Sequence, residues 1–191
     1  MLLDAPTANR LVDEAVAAVC SAPDSFYEVL DRLPAPIYVT DSDGTITYFN
    51  DACVVLAGRT PECGRDKWCV TWKIYTAQGE FLPHNQCPMA VAIREKRAVR
   101  NVEAIAERPD GTTVNFAPFP TPWFDADGNV AGAVNLLLDI TRQRSPRYLR
   151  EQADRCRRLA NSVTDRPATE TLNLMAAKYD AKALKLSRPK H

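Results

Sequence analysis

The sequence predicts an α+β domain: a five-stranded antiparallel sheet with helices inserted between strands two and three, N-terminal helices, and a C-terminal αα-hairpin. Three observations predict it. The stretch Leu33–Ala52, LPAPIYVTDSDGTITYFNDA, reads as a strand, a tight turn, a second strand and the start of a helix. Residues 99–140 hold three strand-like runs parted by two Asp/Gly turns. Residues 7–21 and 146–186 carry apolar side chains at helical spacing.

The elements follow in order. Over residues 7–21, TANRLVDEAVAAVCS, Thr7 is placed to cap a helix, and Leu11, Ala15, Ala18 and Val19 fall on one stripe. A break at Ala22-Pro23 precedes a second helix over 24–33, with Phe26, Val29, Leu30 and Leu33 on one face. In the hairpin, Ile37–Thr40 and Thr45–Phe49 are rich in β-branched and aromatic residues, and Asp43-Gly44 supplies the positive φ a tight turn needs. Asn50 or Asp51 is placed to cap a helix over 51–57, which Gly58-Arg59-Thr60-Pro61 stops. Residues 62–98 are the least regular, with Trp68, Trp72, Tyr75 and Phe81 interleaved among turns; within them Pro88 suits the first turn of a helix over 89–95.

Strands over 99–107, 112–124 and 130–140 then form a meander. Pro118, Pro120 and Pro122 lie two apart in the second of these, so their missing N–H groups all fall on one side. The spacing predicts that pairing is lost on that side from about residue 118 while the other neighbour still pairs. Over 146–164, Leu149, Ala153, Cys156, Ala160 and Val163 repeat at helical spacing. Asp165 is placed to cap a last helix, with Pro167 in its first turn and Leu172, Met175, Ala176, Tyr179, Ala183 and Leu186 along it.

LPAPIYVTDSDGTITYFNDA resembles the opening of a PAS domain, and Gly132–Thr141, GAVNLLLDIT, is similar to its closing strand. The resemblance covers roughly residues 24–141 and implies a sensor fold without naming the signal. It gives three sections: an N-terminal helix over 1–23, the PAS domain over 24–144, and a basic helical hairpin over 145–191. It also implies a ligand pocket between the sheet and the connecting helices, with Trp68, Trp72, Phe81, Asn115, Phe116, Phe119, Asn135 and Leu137 as its candidate walls. Asn135 is the polar exception in an apolar run. It needs a hydrogen-bond partner, for which a ligand, a cross-strand backbone group or Asn115 are alternatives.

The implied function is a cytoplasmic sensory or interaction module that binds a small ligand or a protein partner and relays through its C-terminal helices, as a homodimer or with a signalling partner. No cofactor is specified. Haem-binding relatives present a His from the helix before the third strand, which here reads PMAVAIRE, and His84 lies upstream of it. Flavin photoreceptors carry an Asn-Cys-Arg-Phe-Leu-type motif, from which Asp66-Lys67-Trp68-Cys69-Val70 departs except at the Cys. A haem or flavin sensor of redox state, gas or light is therefore the alternative, together with a transcription regulator acting through the basic tail.

Lys+Arg and Asp+Glu balance at 24 each, which gives no global argument for nucleic acid. Residues 145–191 hold eleven basic and five acidic side chains, so that section is either a solvated helical face or a docking surface for an acidic partner. No membrane segment or secretory leader is expected, and no catalytic set of acid, base and nucleophile assembles from the residues, so an enzyme is not expected. The six cysteines form no C-x-x-C pair, and Cys63, Cys69, His84 and Cys87 lack the spacing of a zinc site, so no metal is expected.

Overall fold

The computed structural model describes residues 4–21 and 26–187. It divides into two units, residues 1–139 and 140–191, each with its own packing. In the first, helices α1 (Ala5–Ser21) and α2 (Phe26–Asp31) precede the hairpin β1 (Ile37–Asp41) and β2 (Ile46–Phe49). After α3 (Asp51–Ala57) come the short strands β3 (Lys73–Thr76) and β4 (Phe81–Leu82), a 3-10 turn over His84–Gln86, and α4 (Pro88–Glu95). The meander β5 (Ala104–Glu107), β6 (Thr113–Phe124) and β7 (Val130–Asp139) completes the unit.

The seven strands among the described residues join one antiparallel sheet in the order β2-β1-β7-β6-β5-β3-β4. The sheet is thus larger than the expected five strands. The added pair comes from the region that looked irregular: Ile74 pairs with Leu82 and Tyr75 with Phe81 across a turn at Gly79, and β3 docks on β5. A two-residue strand carries no periodicity, and only its partner makes it a strand.

Each long strand obeys its chemistry. β6 pairs with β7 from Phe116 to Phe124 but with β5 only from Thr113 to Phe116, as the three prolines require. On the unpaired side the Pro120 carbonyl accepts instead from the Val99 N–H at 3.1 Å and from Arg100 Nη1 at 3.0 Å. That single backbone bond does not make residues 99–103 a strand, because Asn101 takes a left-handed conformation (φ 61°) and β5 begins only at Ala104. β7 is buried from Gly132 to Leu138 without alternation, the pattern of a strand covered on both faces. One face carries the main core, where Tyr38, Ile46, Phe116 and Leu137 meet Cys53, Leu56, Met89 and Ala90 of α3 and α4. On the other face α1 packs against β6 and β7, and its stripe Ala8, Leu11, Val12, Ala15 and Val19 is buried.

Three local expectations are corrected. The cap of α1 is Asp4, whose Oδ1 accepts the Thr7 N–H at 2.9 Å, so Thr7 sits inside the first turn. Val29 of α2 is exposed, because Phe26 and Leu30 alone supply the buried face of so short a helix. Asn50 occupies the cap position of α3 but its side chain makes no cap bond. Its Oδ1 accepts the Ile37 N–H at 3.1 Å and its Nδ2 donates to the Ala35 carbonyl at 2.9 Å and the Leu30 carbonyl at 3.4 Å. One buried amide thereby ties the start of β1, the end of β2 and the α2 end together.

The second unit is a hairpin of α5 (Pro146–Ser162) and α6 (Arg166–Ser187). Ser145 caps α5 through the Tyr148 N–H at 3.1 Å, and Asp165 caps α6 through the Ala168 N–H at 2.9 Å. Ala153 and Cys156 pack with Ala176 and Tyr179, and Arg157 bridges to Asp180 across the pair. Val163 ends outside this seam as the C-cap of α5, and Met175 is exposed.

Asn50→Ala leaves the buried Ile37 N–H and the Ala35 carbonyl without the amide, while the Leu30 carbonyl keeps only the Leu33 N–H, and each group left unmatched costs roughly 1–3 kcal/mol. The expected loss of stability is about 3 kcal/mol or more in urea unfolding; a loss under ~1 kcal/mol would remove the tie from the account of the fold.

Candidate functional site

The main core is apolar, yet a line of polar groups runs through it. Tyr38 and Asn135 face each other across β1 and β7, and both are almost wholly buried. Asn135 Nδ2 donates to the Tyr38 hydroxyl at 2.9 Å, and that hydroxyl donates to the Trp68 carbonyl at 2.9 Å. At the other end Asn135 Oδ1 accepts the Phe119 N–H of β6 at 2.9 Å. The cross-strand backbone group and a tyrosine are therefore the partners Asn135 finds. The Cys87 thiol also points at the Trp68 carbonyl (3.7 Å), and the Cys69 and Thr71 side chains meet at 3.2 Å.

Trp68 is the strained member. Its φ of 70° is a genuine outlier for a bulky residue. Its N–H donates to the Gly44 carbonyl at 2.7 Å, and its ring lies where a Cβ on Gly44 would be, 2.2 Å from Cε3. Gly44 therefore serves twice, as the positive-φ residue of the hairpin turn and as the floor for the indole. The surrounding loop is fixed to β2 by the Ile46 N–H donating to the Asp66 carbonyl at 2.9 Å, and to the residues that follow α3 by an Arg59–Asp66 ion pair.

Burial sets the protonation of this line. It pushes the Tyr38 phenol well above its ordinary value, with the neighbouring Cys69 and Cys87 adding to the effect. It raises the Cys53 and Cys69 thiols, and pushes Cys87 up to about 12. His84, outside the core in the 3-10 turn, is lowered by burial and by Arg59, against the pull of Asp66. At neutral pH the core line is thus uncharged. It holds no thiolate nucleophile, and its capacity is to hold and redirect hydrogen bonds.

The residues singled out from the sequence divide by position. Trp68, Phe116, Asn135 and Leu137 meet at the main core. Phe119 is buried but, three residues from Phe116, lies on the opposite face, where Arg100 stacks over it at 5.6 Å. Asn115, opposite Ile105, alternates with Phe116 in the same way. Trp72 and Phe81 stand at the surface, 45% and 61% exposed; Lys73 lies over the Trp72 ring and Tyr75 meets Phe81 edge-on. The β3–β4 pairing at the sheet's edge places them there. Sequence reasoning passed over Tyr38, and weighed Cys69 and Cys87 only as zinc or flavin residues before setting them aside. A tyrosine in an inward strand position was the available signal, but its pairing with Asn135 depends on the β1–β7 register.

A family model described as the PAS fold matches residues 30–145. No curated protein matches the chain. Among solved structures the chain is similar to the Rhodobacter sphaeroides LOV protein, at 12% identity over 93% of this chain and 99% of that one, with a TM-score of 0.47. It is similar to the LOV domain from an Erythrobacter litoralis blue-light activated histidine kinase, at 22% identity over 58% and 99%, TM-score 0.44. It is also similar to the PAS domain from the fruit-fly ELK potassium channel, at 18% identity over 63% and 98%, TM-score 0.49.

Tyr38→Phe removes the central hydroxyl, strands Asn135 Nδ2 and leaves the Trp68 carbonyl only the weak Cys87 thiol, for an expected loss of about 2 kcal/mol. Asn135→Ala should cost a similar amount, and the double variant less than the sum by at least ~0.5 kcal/mol. Strict additivity in a double-mutant cycle would show that the line is not one network. Thiol titration gives an independent check. Cys20 and Cys63 are exposed and should react rapidly in the folded protein, whereas Cys53, Cys69, Cys87 and Cys156 are buried and should react only on unfolding. Rapid native reaction of any of those four would contradict the packing described.

Proposed function

The chain belongs to the PAS-fold family, whose members are signalling sensor domains, and we propose that it acts as a sensory or interaction module by binding rather than by catalysis. The observation that carries this reading is the hydrogen-bonded line from Trp68 through Tyr38 to Asn135. It joins a strained loop residue to β7, and β7 runs from Asn135 to its end at Asp139, where the second unit follows in the chain. A ligand or partner that favours one arrangement of Trp68 changes what Tyr38 and Asn135 must bond. The change passes along β7 to the helical hairpin. Such a relay needs a difference in affinity between two arrangements, not mere occupancy.

The uncharged phenol and thiols support binding over chemistry, since no group among them is activated as a nucleophile. The C-terminal hairpin is the output surface. It has an excess of basic side chains and exposes Leu159, Leu174, Met175 and Leu184, so it suits a second copy of the chain or an acidic signalling partner. A cytoplasmic setting belongs to the same proposal, and the six cysteines, all free, accord with it. No described helix is long and apolar enough to cross a membrane.

Native mass spectrometry of the full chain should report a dimer or a retained partner. Truncation after Arg144 should abolish it while the far-ultraviolet circular dichroism of the sheet persists. A truncated chain that still captures the same partner would overturn the relay through the hairpin, and visible absorption bands in the purified protein would replace this reading with that of a haem or flavin sensor.

A further inference from the structure

The sheet face opposite the main core carries a groove of about 520 Å³ between the N-terminal helices and the strands. Its apolar walls are Val19, Phe26, Tyr27, Val39, Phe124 and Ala131. That volume lies within the roughly 300–1,000 Å³ typical of small-molecule sites. We propose that this groove is a binding site for a small, neutral, mostly apolar molecule carrying one hydrogen-bond acceptor. The proposal goes beyond the sensor reading: it gives the chain a small-molecule site on the face opposite the Trp68–Tyr38–Asn135 line.

The polar groups along the groove select that class. The Thr47 hydroxyl is taken by the Val39 carbonyl at 3.3 Å. Asp41 Oδ1 accepts the N–H groups of Asp43 and Thr45, and Asp125 Oδ1 those of Asp127 and Asn129, so both carboxylates organise turns. Trp123 differs: its indole N–H is buried and has no partner among the described residues. Register places this indole on the groove side. Trp123 opposes Gly132, Val39 opposes Val134, and Gly132 and Val134 alternate onto one face of β7.

Gly132 makes room for it. A Cβ there would lie 2.9 Å from Trp123 Nε1 and 2.2 Å from the Thr40 carbonyl, so only glycine lets the ring rest on the strand. Thr40 also lines the groove and its hydroxyl has no partner among the described residues, but it alternates with Val39 and shares the face of Tyr38. Tyr27 and Cys20, which also line the groove, are exposed, so the buried unmatched donor on this face is the indole, and a ligand acceptor meets its N–H when the ring turns off Gly132. A buried donor left unmatched is costly, and an acceptor on the ligand relieves that cost. The carboxylates of Asp41 and Asp125 meanwhile repel an anion.

The test titrates the full chain with prodan, an uncharged naphthalene ketone, and with the anion 8-anilinonaphthalene-1-sulfonate, followed by fluorescence. Prodan should bind saturably with blue-shifted emission and several-fold more tightly than the anion. Trp123→Phe, which keeps an apolar ring but removes the N–H, should weaken prodan at least fivefold. Ala126→Trp, at an exposed turn position on the rim, should weaken it further, and the volume-conserving Met89→Leu in the main core should leave it unchanged. Circular dichroism and the melting temperature verify that each variant is folded. No saturable prodan binding, tighter binding of the anion, or indifference to both groove variants would overturn the proposal. So would loss of binding in Met89→Leu alone, which moves the site to the main core and leaves the sensor reading standing. Failure of the truncation experiment removes that reading without touching the binding measured in the groove.

Discussion

The structure depends on one hydroxyl. Tyr38 lies at the meeting of β1, β7 and the loop that carries Trp68, in a core otherwise built of Ile, Leu, Val, Met, Phe, Ala and Cys. A polar group there must be bonded, and an isolated one costs several times what a made bond contributes. The Tyr38 hydroxyl meets this by accepting from Asn135 and donating to the Trp68 carbonyl, and Asn135 meets it by accepting from the Phe119 N–H. Each bond joins elements distant in sequence. A slip of β1 against β7 by one residue would turn Tyr38 out of the core and leave Asn135 with a single partner, so the line fixes the register as firmly as the apolar pattern does.

The two faces of β7 then take different roles. Its continuous buried run lets the main core and α1 use the same strand from opposite sides. The prolines of β6 help to divide them. With pairing to β5 ended after Phe116, the far half of β6 is bonded to β7 alone, and its free side is closed by Val99 and Arg100. Arg100 also reaches Asn9 of α1 at 2.6 Å, so the place where the sheet gives up a strand is where the N-terminal helix is anchored.

What could be read in advance follows the range of the interactions. The β1–β2 hairpin, the stop at Gly58, the Pro88 start of α4 and the Asp165 cap all rest on contacts within a few residues, and the structure has them where the sequence puts them. The proline pattern was legible for the same reason, since its consequence depends only on alternation. β3 and β4 were not, because they acquire their identity from β5. Asn50 looked like a helix cap, yet its amide serves Ile37, Ala35 and Leu30, more than a dozen residues away. Of the candidate site, Trp68, Phe116, Asn135 and Leu137 were named as walls of the pocket that the resemblance implies, chosen by aromatic content and alternation. The bond that unites them was invisible because it belongs to Tyr38 and to a register no local pattern prints.

Trp68 shows how that bond bears on signalling. A left-handed backbone at a tryptophan costs on the order of 1–3 kcal/mol. Against it stand the bond from its N–H to Gly44 and the bond from Tyr38 to its carbonyl, each contributing about 0.5–1.5 kcal/mol net. The two sides are of similar size, so these two bonds are what offsets the backbone strain at Trp68. A shift of a few kcal/mol is what a ligand with a roughly hundredfold preference for one arrangement supplies. Gly44 completes the argument: without a side chain it lets the indole lie on the β1–β2 turn, so the turn that forms the hairpin also seats the strained residue. Under the proposed relay, the sensitive point of the domain is therefore the hydrogen-bonded junction of that turn, Trp68 and Tyr38, and the apolar packing around it serves to keep water from offering those groups another partner.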